Sequence, residues 1–178
     1  TGATFDDEIK KAADVFNKMN FKDFAFLHCV TKYPTPNSMM NIARINFLKQ
    51  FTNDVGFSDH SNPDESGLDA AKYAFTRGAT ILERHFTILN ADATKDGPVS
   101  ISGKDLKELS EFANNSLSWE SFTKDIGELA DVLEGNEKRT LTTEELTNRL
   151  YYRGRFASPR LNSNDEAQMI FNWEETSI

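Results

Sequence analysis

The stretch VGFSDHS at residues 55–61, followed by ATILERHFT at residues 79–87, decides the fold. Each of these short apolar runs contains a histidine near its end, His60 in the first and His85 in the second. Between them, residues 63–77 form one amphipathic segment closed by a glycine, which predicts a strand, a crossover helix and a second strand. This is the repeating unit of a parallel sheet, in which chemistry lies at the carboxyl ends of the strands, where both histidines stand.

The chain on either side of this stretch predicts further helices and strands. In chain order, the predicted elements are a helix capped by Thr4, a buried strand at 23–30, a helix from Asn37 or Ser38 to Phe51, strands at 55–58 and 80–84, and, after a long polar loop, helices at 104–117, at 121–133 and from Thr142. The tail from Tyr151 has no clear periodicity. Because three parallel strands make a thin open sheet, we expect an α/β chain that is part of a larger fold, with a small independent three-strand domain as the alternative.

Composition narrows the class of protein. The chain has 178 residues, of which 38% are hydrophobic and 27% charged, as in an ordinary globular domain with a real core. No apolar run approaches the ~20 residues of a membrane span, and a formal net charge of −8 disfavours nucleic acid as a partner. Since a single cysteine, Cys29, fits a reducing compartment, we expect a cytoplasmic protein with neither a membrane nor a nucleic-acid partner.

Side chains alternate between the two faces of a strand, which places Ser58 with His60 and Glu83 with His85. These four side chains can therefore point into one space from neighbouring strand ends. Two neutral imidazoles with carboxylates nearby suit a divalent transition metal, and the alternative is that each histidine is a hydrogen-bonded core residue. A carboxylate in an apolar strand, such as Glu83, must be paired or metal-linked; its structural alternative is an ion pair with a buried lysine or arginine.

Other polar residues carry weaker signals. Tyr33, on the stiff turn KYPTP at 32–36, either packs against its neighbours or offers its hydroxyl to a ligand. His28 is expected to be structural, and Cys29 has no context that would make it a nucleophile. The loop residues Lys95 and Asp96 are either ligand groups or solvated charges, and their spacing alone favours solvated charges.

Four segments together resemble the sialic acid synthase family, whose members condense phosphoenolpyruvate with an N-acylated amino sugar: HCVTKYPTP at 28–36, GFSDHS at 56–61, GATILERHFT at 78–87 and DGPVS at 96–100. The resemblance implies that residues 1–155 are the C-terminal part of a (β/α)8 TIM barrel, with its last three strands and their helices, followed by extra C-terminal helices. Strands one to five, with the phosphate-binding lysines of the family, would then lie outside this chain. Residues 156–178 are expected to be a tail, too short for the antifreeze-like domain of many members.

The resemblance also implies residue roles. His60 and His85 match two histidines that bind a divalent ion, manganese or magnesium. The positions that match substrate-contacting residues are Ser58, against phosphoenolpyruvate; Thr31, where many members have an asparagine or serine near the phosphate; and Tyr33, in the sugar pocket. Many members have an aspartate where Val99 stands here, so we expect Asp96 to take over that contact with the sugar.

These roles imply a synthase of the sialic, legionaminic or a related nonulosonate class, with phosphoenolpyruvate and an amino sugar as substrates and a homodimer as a compatible assembly. The metal would polarise the sugar aldehyde, the C3 carbon of phosphoenolpyruvate would attack it, and phosphate would leave with C–O cleavage. Glu83 is expected to orient the catalytic histidines His60 and His85. The alternatives are another metal-dependent barrel aldolase or lyase, and a non-catalytic binding module that would tolerate substitution at Ser58 and at both histidines.

Overall fold

The computed structural model describes residues 1–154, 157–161 and 167–171. Within these ranges the α-helices are α1 (Asp6–Lys18), α2 (Arg44–Leu48), α3 (Pro63–Ser66), α4 (Asp69–Thr76), α5 (Gly103–Asn114), α6 (Trp119–Asp125), α7 (Glu128–Glu134) and α8 (Thr143–Gly154). The strands are β1 (Ala25–Cys29), β2 (Asp54–Asp59), β3 (Ile81–Phe86), β4 (Ser100–Ile101), β5 (Ala157–Leu161) and β6 (Ala167–Phe171). The predicted alternation of helices and strands up to β3 is confirmed.

Strands β1 to β4 form one parallel sheet in that order. Ser58 of β2 pairs with Cys29 of β1 on one side and with Glu83 of β3 on the other. The prediction of three strands was wrong by one, because the two-residue strand β4 pairs with His85 and Phe86 from within the predicted polar loop. Two residues are too few to show a period of two in the sequence.

The larger apolar core lies between one face of the sheet and the helices α1, α2, α4 and α7. Val55 and Phe57 of β2 face this core and are almost completely buried. Strand alternation places Gly56 and Ser58 on the opposite face of the sheet, the face to which the side chain of Glu83 also belongs. Burying a side chain such as Phe57 contributes roughly 1.5–3 kcal/mol, so the register of β2 is well determined.

Gly56 is required by the close approach of its neighbours. A Cβ atom at this position would lie 2.6 Å from the carbonyl oxygen of Ile81 and 2.8 Å from Cγ of Leu27. No larger residue fits there without displacing β1 or β3, which explains a glycine inside an otherwise apolar strand.

Two predicted helices are wrong in extent. Between Asn37 and Phe51 the chain forms a 3₁₀ turn at Asn37–Met39 and then only α2, and Asn41 between them has a φ of 47°. The predicted crossover helix at 63–77 is divided into α3 and α4, because Gly67 takes a φ of 59° in the left-handed region. Both interruptions come from single residues with a backbone conformation that a helical period does not reveal.

The N-terminus of α1 also differs from the prediction. Phe5 is the N-cap residue, and its N–H donates a hydrogen bond of 2.8 Å to the Glu8 carboxylate. The Thr4 hydroxyl donates to the Thr1 carbonyl instead of capping the helix. The predicted cap was therefore wrong by one residue.

The C-terminal half agrees with prediction in part. Ser102 caps α5 as predicted, accepting a hydrogen bond from the Asp105 N–H, but the region predicted as one helix at 121–133 divides at Gly127, whose φ is 53°. Part of the tail, in which the sequence has no clear periodicity, forms the antiparallel pair β5–β6. In the described ranges, no helix is both long and apolar enough to cross a membrane. The division into a barrel domain and a tail after residue 155 stays a prediction.

Candidate functional site

The two histidines at the ends of β2 and β3 lie side by side. His60 directly follows β2 and His85 belongs to β3, and their ring centroids are 5.3 Å apart. His60 is buried, whereas the His85 side chain is 36% exposed. One ion or one substrate group can contact both rings at this separation. The structure thus brings the two residues together, and their role as metal ligands stays a prediction.

The hydrogen bonding of His60 determines which ring nitrogen is available. Its Nδ1 lies 3.1 Å from the carbonyl oxygen of Val30 and 3.9 Å from Sγ of Cys29. Because a carbonyl can only accept, Nδ1 carries the proton and Nε2 keeps its lone pair. Burial lowers the pKa of His60, and the neighbouring His85 acts in the same direction. The ring is therefore a neutral imidazole oriented by a backbone carbonyl, the form in which histidine binds metals.

Ser58 and Glu83 form the polar pair that strand alternation predicts. The Ser58 hydroxyl donates a hydrogen bond of 2.6 Å to Oε1 of Glu83. Ser58 is buried, but Glu83 is exposed, so the expected burial of this carboxylate was wrong. Glu83 lies on the face of β3 opposite the apolar core, and an exposed carboxylate needs no buried ion-pair partner.

Tyr33 and Asp96 approach the histidines from two loops. The centroid of the Tyr33 ring lies 4.2 Å from that of His60 and 6.1 Å from that of His85. Burial raises the pKa of Tyr33 to about 12, so its hydroxyl stays protonated near neutral pH and can donate a hydrogen bond. Oδ2 of Asp96 lies 3.9 Å from Nδ1 of His85. Their contacts with a sugar stay predictions.

Thr31 is placed differently from the other predicted site residues. It is buried, and its Oγ1 has no hydrogen-bond partner within the residues that the structure describes. Its backbone connects to α8: the Asn148 side-chain amide donates a 2.6 Å hydrogen bond to the Thr31 carbonyl, and the Thr31 N–H donates to Glu145 at 3.4 Å. In this arrangement Thr31 anchors a helix through its backbone, and its proposed place beside a phosphate stays a prediction.

The contribution of α8 was missed by sequence reasoning. Glu145 is completely buried and accepts hydrogen bonds of 2.8 and 2.9 Å from Arg139, which also donates to the Cys29 carbonyl at 3.2 Å. Burial acts to raise the pKa of Glu145, but Arg139 and the Thr142 N–H outweigh it and hold that pKa below its usual range. The segment TLTTEEL at 140–146 indicates a helix start and carries no signal that this helix packs against β1.

A buried ion pair supports His60 from the other face of the sheet. Nη1 of Arg84 lies 2.6 Å from Oδ2 of Asp59, with both side chains at most 3% exposed. The angle is not that of a hydrogen bond, so Oδ2 has no hydrogen-bond partner among the described residues. Arg84 also donates to the hydroxyl of Ser61 at 2.9 Å and to its carbonyl at 3.2 Å. A further hydrogen bond of 3.2 Å from Arg84 to the Asp59 carbonyl means that Arg84 holds the backbone on both sides of His60. The sequence signal for this pair was that Asp59 and Arg84 carry opposite charges and lie on the same face of adjacent strands.

Two cavities meet at His85. The larger, of about 780 Å³, extends from His85 and Tyr33 to the exposed face of α8. The smaller, of about 180 Å³, is lined by Ser58, Glu83, Arg84 and His85. One imidazole therefore stands between two spaces that can each hold a reactant.

His28, the third histidine of the chain, belongs to the core and not to this site. It is buried, its Nε2–H donates a 2.6 Å hydrogen bond to the Met40 carbonyl, and its ring stacks on Phe57. Burial lowers the pKa of His28 to about 3. The expectation that His28 is structural agrees with these contacts.

The lowered pKa of His28 predicts a loss of stability in acid. Below the ordinary histidine pKa of about 6.5, His28 becomes protonated in the unfolded chain but stays neutral in the folded chain. The free energy of unfolding therefore falls as the pH falls. We expect the free energy of unfolding to fall by about 1.4 kcal/mol for each pH unit below about pH 6 from this residue alone. Urea unfolding across this range checks it, with His28→Gln as the control that should have a flatter pH dependence. An equal slope in both proteins would contradict the prediction.

Comparison with known proteins places these features in a family. Residues 1–121 match the sequence profile of the NeuB family. Among curated proteins, the pseudaminic acid synthase of Campylobacter jejuni is 28% identical over 159 residues, which are 89% of this chain and 41% of the relative. The N,N'-diacetyllegionaminic acid synthase of the same species is 34% identical over 112 residues, which are 61% of this chain and 32% of the relative.

A solved structure agrees with these matches. The N-acetylneuraminic acid synthetase of Leptospira borgpetersenii superposes with a TM-score of 0.57 at 27% identity, over 85% of this chain and 47% of that chain. This chain thus spans less than half the length of the relatives described here. The family match covers 121 of the 178 residues, including both strand-end histidines, and the chain therefore belongs to the NeuB family.

Proposed function

We propose that this chain forms part of a nonulosonate synthase, an enzyme that condenses phosphoenolpyruvate with an N-acylated amino sugar and releases phosphate. The observation that carries the proposal is the pair His60 and His85, 5.3 Å apart, with His85 lining two separate cavities. A condensation needs two reactants to approach one activating centre from different sides. The names of the relatives, which are synthases of pseudaminic and legionaminic acids, support the same class of product.

The proposal includes the fold of the complete catalytic domain. We assign β1, β2 and β3 to the last three strands of a (β/α)8 barrel, with β4 as a short addition after the final strand. The parallel order of these strands, with polar groups at their carboxyl ends, is the arrangement found at the active face of such barrels. The cytoplasmic location and the homodimer stay predictions.

The two histidines suit a divalent metal ion, manganese or magnesium. His60 offers the lone pair of Nε2, because its Nδ1 bonds the Val30 carbonyl, and His85 stands beside it with Asp96 at its Nδ1. Among the described residues no three His, Cys, Asp or Glu side chains converge, so water or substrate oxygens would complete the coordination, as is common for these ions. When bound, such an ion supplies Lewis-acid polarisation of the sugar aldehyde.

The protein side chains have distinct tasks in this proposal. Ser58 and Glu83 line the smaller cavity, which we assign to phosphoenolpyruvate, and their 2.6 Å hydrogen bond fixes the serine hydroxyl. Tyr33 and Asp96 line the larger cavity, where the protonated Tyr33 hydroxyl can donate to the sugar. The C3 carbon of phosphoenolpyruvate then bonds to the aldehyde carbon, water adds at C2, and phosphate departs with cleavage of the C–O bond.

The test is product analysis with the full-length natural protein. It would be incubated with phosphoenolpyruvate, Mn²⁺ and either N-acetylmannosamine or a diacetamido-trideoxyhexose, in water enriched in the heavy oxygen isotope. We expect a nine-carbon sugar acid in the mass spectrum and release of phosphate without the heavy isotope. An aldolase would use pyruvate and release no phosphate, and a binding module would form no product. Either result would contradict the proposal.

A further inference from the structure

We propose that α8 forms the acceptor-selecting wall of the larger cavity and that this wall selects an uncharged, hydroxyl-rich sugar terminus over a phosphorylated one. The inference rests on the proposed function. It adds a specificity-determining element that the strand-end residues do not supply. Three features of the described residues carry it: the position of α8 in the cavity wall, the anchoring of the helix and the charge of the lining.

The lining of the cavity combines the strand-end residues with α8. His85 and Tyr33 line this cavity together with the successive turns of α8 that carry Thr143, Thr147 and Tyr151. These three residues recur at intervals of four and are exposed, so they form one face of the helix. A sugar that occupies this cavity with its carbonyl beside the histidines would contact this face through its other substituents.

The helix is anchored well enough to discriminate between ligands. The buried Arg139–Glu145 pair and the hydrogen bond from Asn148 to the Thr31 carbonyl attach α8 to the end of β1, two residues before Tyr33. Because α8 and Tyr33 are both attached to the end of β1, the distance between the helix and Tyr33 is constant. Sites on anchored helices discriminate more precisely than sites on loops.

The charge of the lining favours a neutral ligand. The cavity contains two lysines, Lys32 and Lys95, and two carboxylates, Asp96 and Glu144, of which Lys32 and Glu144 pair with each other. The opposite charges balance, so the lining offers no excess of cations for a phosphate. The Thr147 hydroxyl donates to the Thr143 carbonyl at 2.9 Å, which leaves its oxygen able to accept from a sugar hydroxyl.

The experiment compares two tryptophan substitutions in the full-length protein. Thr147→Trp fills the cavity, whereas Leu150→Trp adds the same bulk on α8 at an exposed position outside it. We expect Thr147→Trp to raise the KM for the neutral acceptor by at least about tenfold, with the KM for phosphoenolpyruvate and the Tm unchanged. Leu150→Trp should leave all three unchanged. Equal acceptor KM values in the two variants would overturn the proposed wall.

A charge substitution tests the selectivity itself. Wild-type protein should have a higher kcat/KM for N-acetylmannosamine than for its terminal phosphate ester, and Thr147→Lys should shift that ratio towards the ester by about tenfold or more. A wild-type preference for the ester, or an unchanged ratio in Thr147→Lys, would overturn the selection of an uncharged terminus. If wild-type protein releases no phosphate with any acceptor, the proposed function fails, whereas turnover with indistinguishable variants refutes only the role of α8.

Discussion

Replacing either His60 or His85 by alanine is expected to lower turnover by about 10²- to 10⁴-fold. Lewis-acid stabilisation is worth several kcal/mol, and each 1.36 kcal/mol corresponds to about a tenfold change in rate. The two rings lie 5.3 Å apart, and His85 lines the proposed acceptor space, so we expect both rings to be needed to hold one ion there. Phosphate release and calorimetric titration with Mn²⁺ measure the two effects. We expect the affinity for Mn²⁺ to fall together with the rate.

His28→Gln is the matched control for both alanine variants. His28 is buried against Phe57 and bonds the Met40 carbonyl, so its replacement should lower the Tm without weakening Mn²⁺ binding. This separates the loss of a ligand from the loss of any buried histidine. Unchanged turnover in both His60→Ala and His85→Ala would refute the metal site. The metal site would also be refuted if Mn²⁺ binding in these variants decreased only as much as the fraction of folded protein.

Replacing Arg84 by methionine is expected to destabilise the protein by about 3–5 kcal/mol, because it leaves the Asp59 carboxylate buried without its counter-charge. Asp59 is completely buried, and Arg84 is the cation beside it at 2.6 Å. The substitution also removes the two hydrogen bonds from Arg84 to Ser61, on the C-terminal side of His60. Urea unfolding monitored by circular dichroism gives the free energy of unfolding of each variant.

The double variant Asp59→Asn with Arg84→Met separates charge from packing. With no lone charge left, it should be more stable than Arg84→Met alone. Lys124→Met is the surface control, since Lys124 and Glu120 form an ion pair with side chains 73% and 83% exposed. It should change stability by less than about 1 kcal/mol. A similarly small effect of Arg84→Met would contradict the importance of the buried pair.

Much of the sheet could be predicted from local pattern. Val55 and Phe57 alternate with Gly56 and Ser58, and a shift by one residue would expose the apolar pair, so the faces of β2 follow from the sequence. The same rule predicts that His60 lies near His85. The strand β4 and the interruptions at Gly67 and Gly127 could not be predicted in this way, because single positive φ values and two-residue pairings have no period.

The candidate site was predictable only where its residues share strands. Ser58 and Glu83 meet because adjacent parallel strands place their side chains in register. The exposure of Glu83 was not predicted, since it depends on which face of β3 the helices leave uncovered. The contact between Arg139 and the Cys29 carbonyl joins positions 110 residues apart, and no local propensity encodes such a contact.

The sequence by itself determined the parallel α/β sheet, the two histidines at adjacent strand ends and the resemblance to the sialic acid synthase family. The alternation of apolar and polar residues and the short apolar runs are local properties of the sequence. They can be recognised wherever one face of a strand must be buried. Only the tertiary structure decided that α8 packs against the end of β1 and that Arg84 supports His60 from the opposite face of the sheet. It also decided that two cavities meet at His85. These features depend on long-range packing and buried charge, whose free energies arise only when distant segments are brought together.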